Sequence, residues 1–360
     1  MNKILFIARY CEGIVTGASV ITMRNLDMLR KVHGEESVQV LWLHNQSNML
    51  VTLFYTLILK QAGVNYDTIR VIKNKITTDN ITHVFIDTSL AGTCAKIVKK
   101  TNNQIKVFLF FHNAELSYFK SLILSTFKLW HLLTLIAVWF NEKLGVKYAD
   151  YLLFLNNRDH SDILRQYSTA NIKKYEIIPT SMHDRFDERL LFERETKELN
   201  VLFVGTLFFP NYHGVKWFLE KVFPYVDIKL TIVGRGFENV AADFNHPNVN
   251  VVGTVNNIDP YYYSCDLVVA PIFKGSGMKT KLAEALMFGK SIFASSESFE
   301  GYDIDFDKVG ALCNNENEFI LAIKNFKRHP VQFNKAARDY YLSHYDFNKS
   351  CDIYNRAITS

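Results

Sequence analysis

Residues 271–289 read PIFKGSGMKTKLAEALMFG, and the fold can be reasoned outward from this stretch. An apolar, strand-like run, CDLVVAP (265–271), leads into it and stops at Pro271. A short loop follows with glycines at Gly275 and Gly277 and lysines at Lys274, Lys279 and Lys281. A helix-forming run, KLAEALMFG, then ends at Gly289, a natural helix stop. A strand that feeds a glycine-rich basic loop, which in turn opens a helix, has the layout of a diphosphate site. Glycines allow close backbone approach, helix N–H groups point at the anion, and lysines add charge. Glu284 sits one turn into the helix, about half a turn round from Leu282 and Leu286, which share a face. It is placed to leave the packed face and to accept hydrogen bonds from a diol such as a ribose. Diphosphate plus ribose describes a nucleotide, although many glycine-rich strand-to-helix turns hold no phosphate. GSGMKT is neither a Walker A loop nor a G-x-G-x-x-G turn, whose third glycine would fall at Thr280. Kinase, NTPase and Rossmann dehydrogenase readings therefore lose ground.

The chain has 360 residues, which at about 150 per domain suggests two domains. It is 48% hydrophobic and 21% charged, the composition of a folded protein rather than a disordered one. A formal net charge of +5 is too small to argue for nucleic acid and suits an anionic substrate or a membrane surface. Five scattered cysteines with no C-x-x-C indicate neither a zinc knuckle nor a disulfide framework, so cytosolic thiols are the default. The opening MNKILFIARY reads as a short strand rather than a signal peptide.

Strand-like and helix-like runs alternate along the whole chain, which predicts α/β architecture with parallel sheets. Strands are expected at 3–8, 38–43, 83–87, 106–111 and 151–155, with helices such as 22–32 and 90–100 between them. The pattern breaks at Ile177-Ile178-Pro179 and a polar run follows. A second series then begins, with strands expected at 200–204, 229–233, 249–252, 267–270 and 291–294. The expected domains are 1–180, a hinge at 181–199, a second α/β domain at 200–335 and a C-terminal helix at 336–360 that crosses back to the first domain. Open parallel sheets bind ligands at the carboxyl ends of their strands, and clefts between domains are common sites.

SLILSTFKLWHLLTLIAVWF (121–140) is the most apolar stretch. Its unbroken part after Lys128 is about 12 residues, short of the roughly 20 needed to span a bilayer. It reads either as a buried core helix or as an interfacial one, with Trp130, Trp139, Lys120 and Lys128 suited to a headgroup zone.

The second half resembles the GT-B glycosyltransferases, specifically the retaining family 4-like group (glycosyl transferases group 1) that builds bacterial surface polysaccharides. The matching segments run in order: FVGTLFFPNYHGVKWFLEKVFP (203–224), LTIVGRG (230–236), VNVVGTVNNIDPYYYSCDLVVAP (249–271), GSGMKTKLAEALMFGKSIFAS (275–295) and FEGYD (299–303). In the first half, Thr16-Gly17-Ala18-Ser19 occupies the place of the family's glycine loop, and FHNAELSYF (111–119) is similar to its H-N-x-E segment. YADYLLFLNNRD (148–159) is similar to a further family strand. The resemblance implies two Rossmann-like domains facing across a cleft. It implies transfer of a sugar from a nucleotide-diphosphate sugar to a saccharide acceptor in cell-surface polysaccharide biosynthesis, of O-antigen or capsule type. The apolar run 121–140 beside Lys120 and Lys128, in the half expected to bind acceptor, predicts a lipid-linked acceptor and peripheral attachment at the cytoplasmic face of the membrane. Retention of configuration, no metal and no cofactor are expected, and no nucleic-acid partner.

The donor-binding set implied is Gly17, Gly205, Thr206, Gly275, Ser276, Gly277, Met278, Lys279, Lys281 and Glu284. Ser276 stands where many relatives carry the first of two glutamates, and Thr206 where many carry an arginine. Donor phosphate charge is therefore expected to rest on Lys279, Lys281 and the loop amides. His112 ends the strand KVFLFF (106–111), and by resemblance it approaches the sugar or the acceptor hydroxyl; a structural histidine is the other reading. Glu115 orients His112 or accepts a proton. Gly17 allows backbone approach or is a plain turn glycine, and Lys274 is a solvated charge or a phosphate contact. The aspartates at 303, 305 and 307 lie beyond the donor helix and do not close an apolar strand, which disfavours a metal-binding D-x-D. A sugar-nucleotide-binding protein without catalysis and a GT-B epimerase or inverting transferase remain the other classes. Donor affinity without turnover would mark the first; turnover without an acceptor would mark the epimerase.

Overall fold

A computed structural model describes the chain except residues 1, 12, 14, 15, 46, 47, 127, 128, 169, 170, 172, 192–197 and 360; the side chains of 121–130 and 359 are likewise not described. Two compact units are present, Met1–Pro179 with Ser350–Ser360, and Thr180–Lys349.

In the first unit the order is β1 (Ile4–Arg9), α1 (Gly17–His33), β2 (Val38–Leu43), α2 (Met49–Leu57), α3 (Tyr66–Thr78), β3 (His83–Ile86), α4 (Thr93–Thr101), β4 (Lys106–Phe111), α5 (Glu115–Thr126), α6 (Leu129–Tyr148), β5 (Tyr151–Phe154), α7 (Asn157–Gln166) and β6 (Lys174–Ile177). The six strands pair in parallel in the order β2-β1-β3-β4-β5-β6. Residues Ile4 to Ala8 of β1 are fully buried, as expected for a central parallel strand covered on both faces.

The second unit contains β7 (Asn200–Val204), α8 (Phe209–Lys221), β8 (Lys229–Val233), β9 (Val249–Gly253), α9 (Asp259–Ser264), β10 (Leu267–Ala270), α10 (Thr280–Met287), β11 (Ser291–Ala294), α11 (Phe306–Val309), β12 (Gly310–Leu312), α12 (Glu316–Arg328) and α13 (Lys335–Tyr340). A π turn at Tyr341–Tyr345 separates α13 from α14 (Phe347–Thr359), so the stretch from 336 onward is two helices rather than the single one expected. The second sheet is also parallel, in the order β12-β11-β10-β7-β8-β9.

Two strands escaped the sequence reading, both at sheet edges. β6 is exposed at Lys174 and Tyr175, and β12 spans three residues, so neither makes an apolar run. Thr180, expected to end the first domain, opens the second unit; it and Ser181 of the expected hinge are fully buried, and Met182 of that hinge bridges Asp346; residues 192–197 lie outside the described residues.

Arg24 fixes both points where the chain leaves and re-enters the first unit. One guanidinium nitrogen donates to the Pro179 carbonyl at 2.9 Å and to the Ser350 hydroxyl at 2.6 Å. Burial, partly opposed by Asp87, pulls this guanidinium down to about 10.

Each sheet order contains a reversal. In the first it lies between β1 and β3, in the second between β7 and β10. Ligands of open parallel sheets bind at such reversals, beyond the carboxyl ends of the strands.

Candidate functional site

In the second unit, the glycine loop extends from the carboxyl end of β10, and Gly205 follows β7 directly, so both border the reversal. Gly205 has no room for a side chain. A Cβ there would stand 2.7 Å from Asn211 Nδ2 and 2.8 Å from Lys281 Nζ. Gly277 holds φ at +65°, a conformation that favours glycine, and turns the loop toward α10.

Lys281 is buried beside Gly205. Its ammonium donates to Asn211 Oδ1 at 2.8 Å and lies 4.2 Å above the Phe203 ring. Asn211 Nδ2 in turn donates to the Thr206 carbonyl at 2.8 Å, so one amide ties the lysine to the turn after β7. Burial, reinforced by Lys279, pulls the Lys281 ammonium down to about 7, against the attraction of Glu284. A lysine held in this state is partly neutral near pH 7 and is poised to take up a proton when an anion arrives.

Lys279 plays a different part. Its ammonium pairs with Glu297 Oε1 at 2.8 Å and donates to the Gly277 carbonyl at 2.8 Å, which straps the loop from its own side. Tyr302, from the FEGYD segment, donates its hydroxyl to the Lys279 carbonyl at 2.7 Å and accepts from the Ala283 amide at 3.1 Å. These two residues set the loop and the first turn of α10, so the positive charge of Lys279 is matched locally by Glu297.

Glu284 is the single half-buried residue between Lys281 and Met287, all the others being buried. Tyr262 donates to its Oε2 at 3.1 Å and Arg185 approaches its Oε1 at 3.5 Å. Arg185 also pairs with Asp259 at 3.1 Å. Burial raises the Glu284 carboxyl, while Arg185 and Tyr262 oppose that rise. A carboxylate has about four lone-pair sites, so both oxygens keep acceptor capacity for a diol. Ser276 and Thr206 are half-buried at the loop and after β7, and Gly275 is exposed. Met278 is buried, and its sulfur accepts from the Thr180 amide at 3.4 Å. Lys274 is exposed. Asp305 of the aspartate run is paired with Lys308 at 2.9 Å.

The first unit brings together a different cluster. His112 follows β4 and Asp87 follows β3, so parallel pairing sets them side by side. His112 Nε2 lies 3.1 Å from Asp87 Oδ2. Thr22 and Asn25 of α1 each donate to Asp87 at 2.6 Å, which fixes that carboxylate. The residue that orients His112 is therefore Asp87, whereas Glu115 accepts from Asn113 at 3.3 Å. His112 Nδ1 is buried with no hydrogen-bond partner. Burial lowers the imidazole, but the charge and hydrogen bond of Asp87, with Glu115 adding, outweigh it and hold His112 above its ordinary value.

Glu115 itself is buried, and burial raises its carboxyl. Its amide is capped by Glu142 Oε1 at 2.9 Å, and Glu142 also accepts from Ser89 and Tyr167. Gly17 is exposed at the first position of α1, where Thr16 caps the helix.

Asn211, Arg185, Tyr262, Glu297, Tyr302 and Asp87 all escaped the sequence reading. Two left a trace. Asp87 ends the apolar run HVFI, and Asn211 stands in the first turn of α8, within a segment already matched to the family. The others reach the site only through tertiary packing.

Two six-stranded parallel sheets with a glycine loop at a sheet reversal define the GT-B glycosyltransferase fold. Among solved structures, the chain is similar to sucrose-phosphate synthase from Thermosynechococcus elongatus, with a TM-score of 0.75, 14% identity and full coverage of both chains. It is also similar to Anabaena Alr3699/HepE solved in complex with UDP-glucose, with a TM-score of 0.69, 13% identity and full coverage of both chains. Residues 198–327 match the family Glycosyl transferases group 1. A protein of 44.6 kDa from the cps region of Klebsiella pneumoniae is 28% identical over 240 residues, covering 60% of this chain and 58% of that relative. The match to the group 1 glycosyl transferases thus falls within the second unit, and the chain as a whole has the GT-B fold.

Proposed function

We propose that the protein transfers a sugar from a nucleoside-diphosphate sugar to a saccharide acceptor in the biosynthesis of a cell-surface polysaccharide. The observation that carries this reading is the cradle at the β7–β10 reversal: Gly205, Lys281 and Asn211 on one side, the Gly275–Met278 loop and the start of α10 on the other.

In the reaction, the bond between the anomeric carbon and the diphosphate breaks, a bond to the acceptor oxygen forms, and the acceptor's hydroxyl proton passes to the departing diphosphate. Negative charge develops on the departing diphosphate. Lys281 and the amides of Ser276, Gly277 and Met278 would meet it without reorganising, the kind of preorganised field that contributes most in such sites. Lys279 would act indirectly by keeping the loop in shape. Glu284, steadied by Tyr262 and Arg185, would hold the ribose diol. By resemblance, His112, oriented by Asp87, would approach a hydroxyl of the transferred sugar or of the acceptor. With cationic groups already supplied by the protein, the reaction is expected to need no metal.

We further assign retention of anomeric configuration and a lipid-linked saccharide acceptor of O-antigen or capsule type, in keeping with the resemblance to retaining family 4-like enzymes and the cps-region relative. A uridine diphosphate sugar is the donor class to test first, since the Anabaena neighbour was solved with one. The test is a panel of nucleotide sugars offered with lipid-linked acceptors, with product configuration read by NMR. Release of nucleoside diphosphate that depends on acceptor supports transfer. Donor binding without release would instead favour a binding protein.

A further inference from the structure

Helix α6 lies directly against the turn that follows β3. A Cβ on Gly92 would stand 2.0 Å from the Asn141 carbonyl oxygen, and one on Gly145 would stand 2.6 Å from Leu109 Cδ2 of β4. Glycine at both positions lets the helix backbone come this close. The approach buries two adjacent polar side chains, Asn141 and Glu142, completely. A buried polar group is costly unless its hydrogen bonds are made, so the partners of these two define what they do.

Asn141 serves the helix after β3. Its Oδ1 accepts from the Thr93 hydroxyl at 2.8 Å, at the start of α4, and its Nδ2 donates to the Leu59 and Ala137 carbonyls at 2.9 and 2.8 Å. Glu142 serves the helix after β4. Its Oε1 accepts from the Glu115 amide at 2.9 Å and the Ser89 hydroxyl at 3.1 Å. Its Oε2 accepts from the Tyr167 hydroxyl at 2.9 Å and the Leu116 amide at 3.3 Å. These four donors fill the capacity of one carboxylate, which has about four lone-pair sites. All four are neutral groups, and two are the opening amides of α5, where the helix dipole favours an anion. Burial, with Glu115 adding, raises the Glu142 carboxyl to about 7, against the hydrogen bonds of Tyr167, the Glu115 amide and Ser89.

Ser89 lies two residues after Asp87, and Glu115 three after His112. One carboxylate thus joins the turns that deliver both members of the His112–Asp87 pair. Asp87 is already fixed by Thr22 and Asn25 of α1. The imidazole bonds Asp87 through Nε2 and makes no hydrogen bond through Nδ1, so the backbone of its own turn carries much of its placement. Asp159 accepts from the Ala114 amide in that turn, and Glu142 is the group that joins the turn to the Asp87 side.

We propose that Glu142 is a positioning residue for His112: by closing the turns after β3 and β4 on one carboxylate, it holds the imidazole against Asp87 in the geometry that transfer requires. The role of His112 in transfer rests on the proposed function; its placement by Glu142 does not.

The test separates reach from charge. Glu142→Asp keeps the charge and shortens the side chain by one carbon, whereas Glu142→Gln keeps the length and one acceptor oxygen and removes the charge. Each is read by NMR titration of the His112 ring protons, by kcat and donor KM, and by thermal midpoint. In Glu142→Asp the His112 pKa should fall, because a looser contact with Asp87 leaves burial less opposed. Its kcat should fall about ten- to a hundredfold, the scale of a misplaced catalytic group. Donor KM should hold, since the donor cradle is built from residues of the second unit. Glu142→Gln should stay close to the parent in all three, because the charges that raise His112 are those of Asp87 and Glu115. Asn141→Ala is the control for lost stability, with a lower midpoint and an unchanged His112 pKa. If Glu142→Asp does not fold, Tyr167→Phe frees Oε2 with Glu142 in place and should still lower the His112 pKa. A lower midpoint in Glu142→Asp with His112 pKa and kcat unchanged would overturn the proposal. So would Glu142→Gln as impaired as Glu142→Asp, or Asn141→Ala moving His112 as far. A parent without transfer activity would refute the proposed function instead, and the His112 titration would still decide its placement by Glu142.

Discussion

Donor binding should draw a proton onto Lys281. In the free protein its ammonium is held at about 7, far below the ordinary 10.5, chiefly by burial. A diphosphate placed beside it restores a counter-charge and lifts it back toward the ordinary range. The sign follows directly. Above pH 7 the free protein must bind a proton to reach the charged form that the diphosphate favours, so affinity falls as pH rises. If the complex recovers the ordinary value, moving from pH 7.5 to 9 weakens binding about twenty-five-fold, or roughly 1.9 kcal/mol. The terminal phosphate of a nucleoside diphosphate ionises lower, at roughly 6, and does not contribute in this window. The assay is calorimetric titration with UDP in buffers of different ionisation enthalpy, which reads affinity and proton uptake together. Lys281→Met should bind weakly at every pH, lose the slope and take up no proton. A parent protein whose affinity is flat across the window, or a Lys281→Met variant that keeps the slope, would refute this. Lys281 would then be a structural residue seated on Phe203 and Asn211.

Glu284→Ala should lower donor affinity or turnover about ten- to a hundredfold, the range for one lost charge-assisted hydrogen bond, with the circular dichroism spectrum unchanged. Unaltered kinetics would remove Glu284 from the donor site. Asp87→Asn should lower the His112 pKa, read by NMR of its ring protons, because burial is then opposed only by the charge of Glu115. The same variant should reduce turnover about a hundredfold and move the pH profile in step; a profile that does not move would make the pair structural. Activity should survive EDTA, and its loss and restoration by magnesium or manganese would contradict metal-independent transfer.

The ten strands expected from the sequence are all present, because central parallel strands are continuous apolar runs bounded by polar turns. The edge strands β6 and β12 lack that signature, since one face of an edge is wet. The loop around Gly275 and Gly277 was legible because its constraint is local: a strand, two glycines and a helix in a row. The partners of its charges were not. Lys279 reads as a phosphate cation until Glu297, from the turn after β11, is seen to pair with it. Likewise Glu115 looks like the natural neighbour of His112 in sequence, yet β3–β4 pairing brings Asp87 there instead. Helix α2 was missed because an apolar run of nine residues carries no helical periodicity when its exposed face is as apolar as its buried one.

Sugar transfer from a nucleotide donor is tested by nucleoside diphosphate release in the presence of UDP-sugars and a lipid-linked saccharide fraction. The account expects diphosphate to appear only with acceptor, to match the sugar gained by the acceptor, and to fall sharply in Glu284→Ala. Binding of donor without diphosphate release under any acceptor, or release equal in parent and variant, would contradict it.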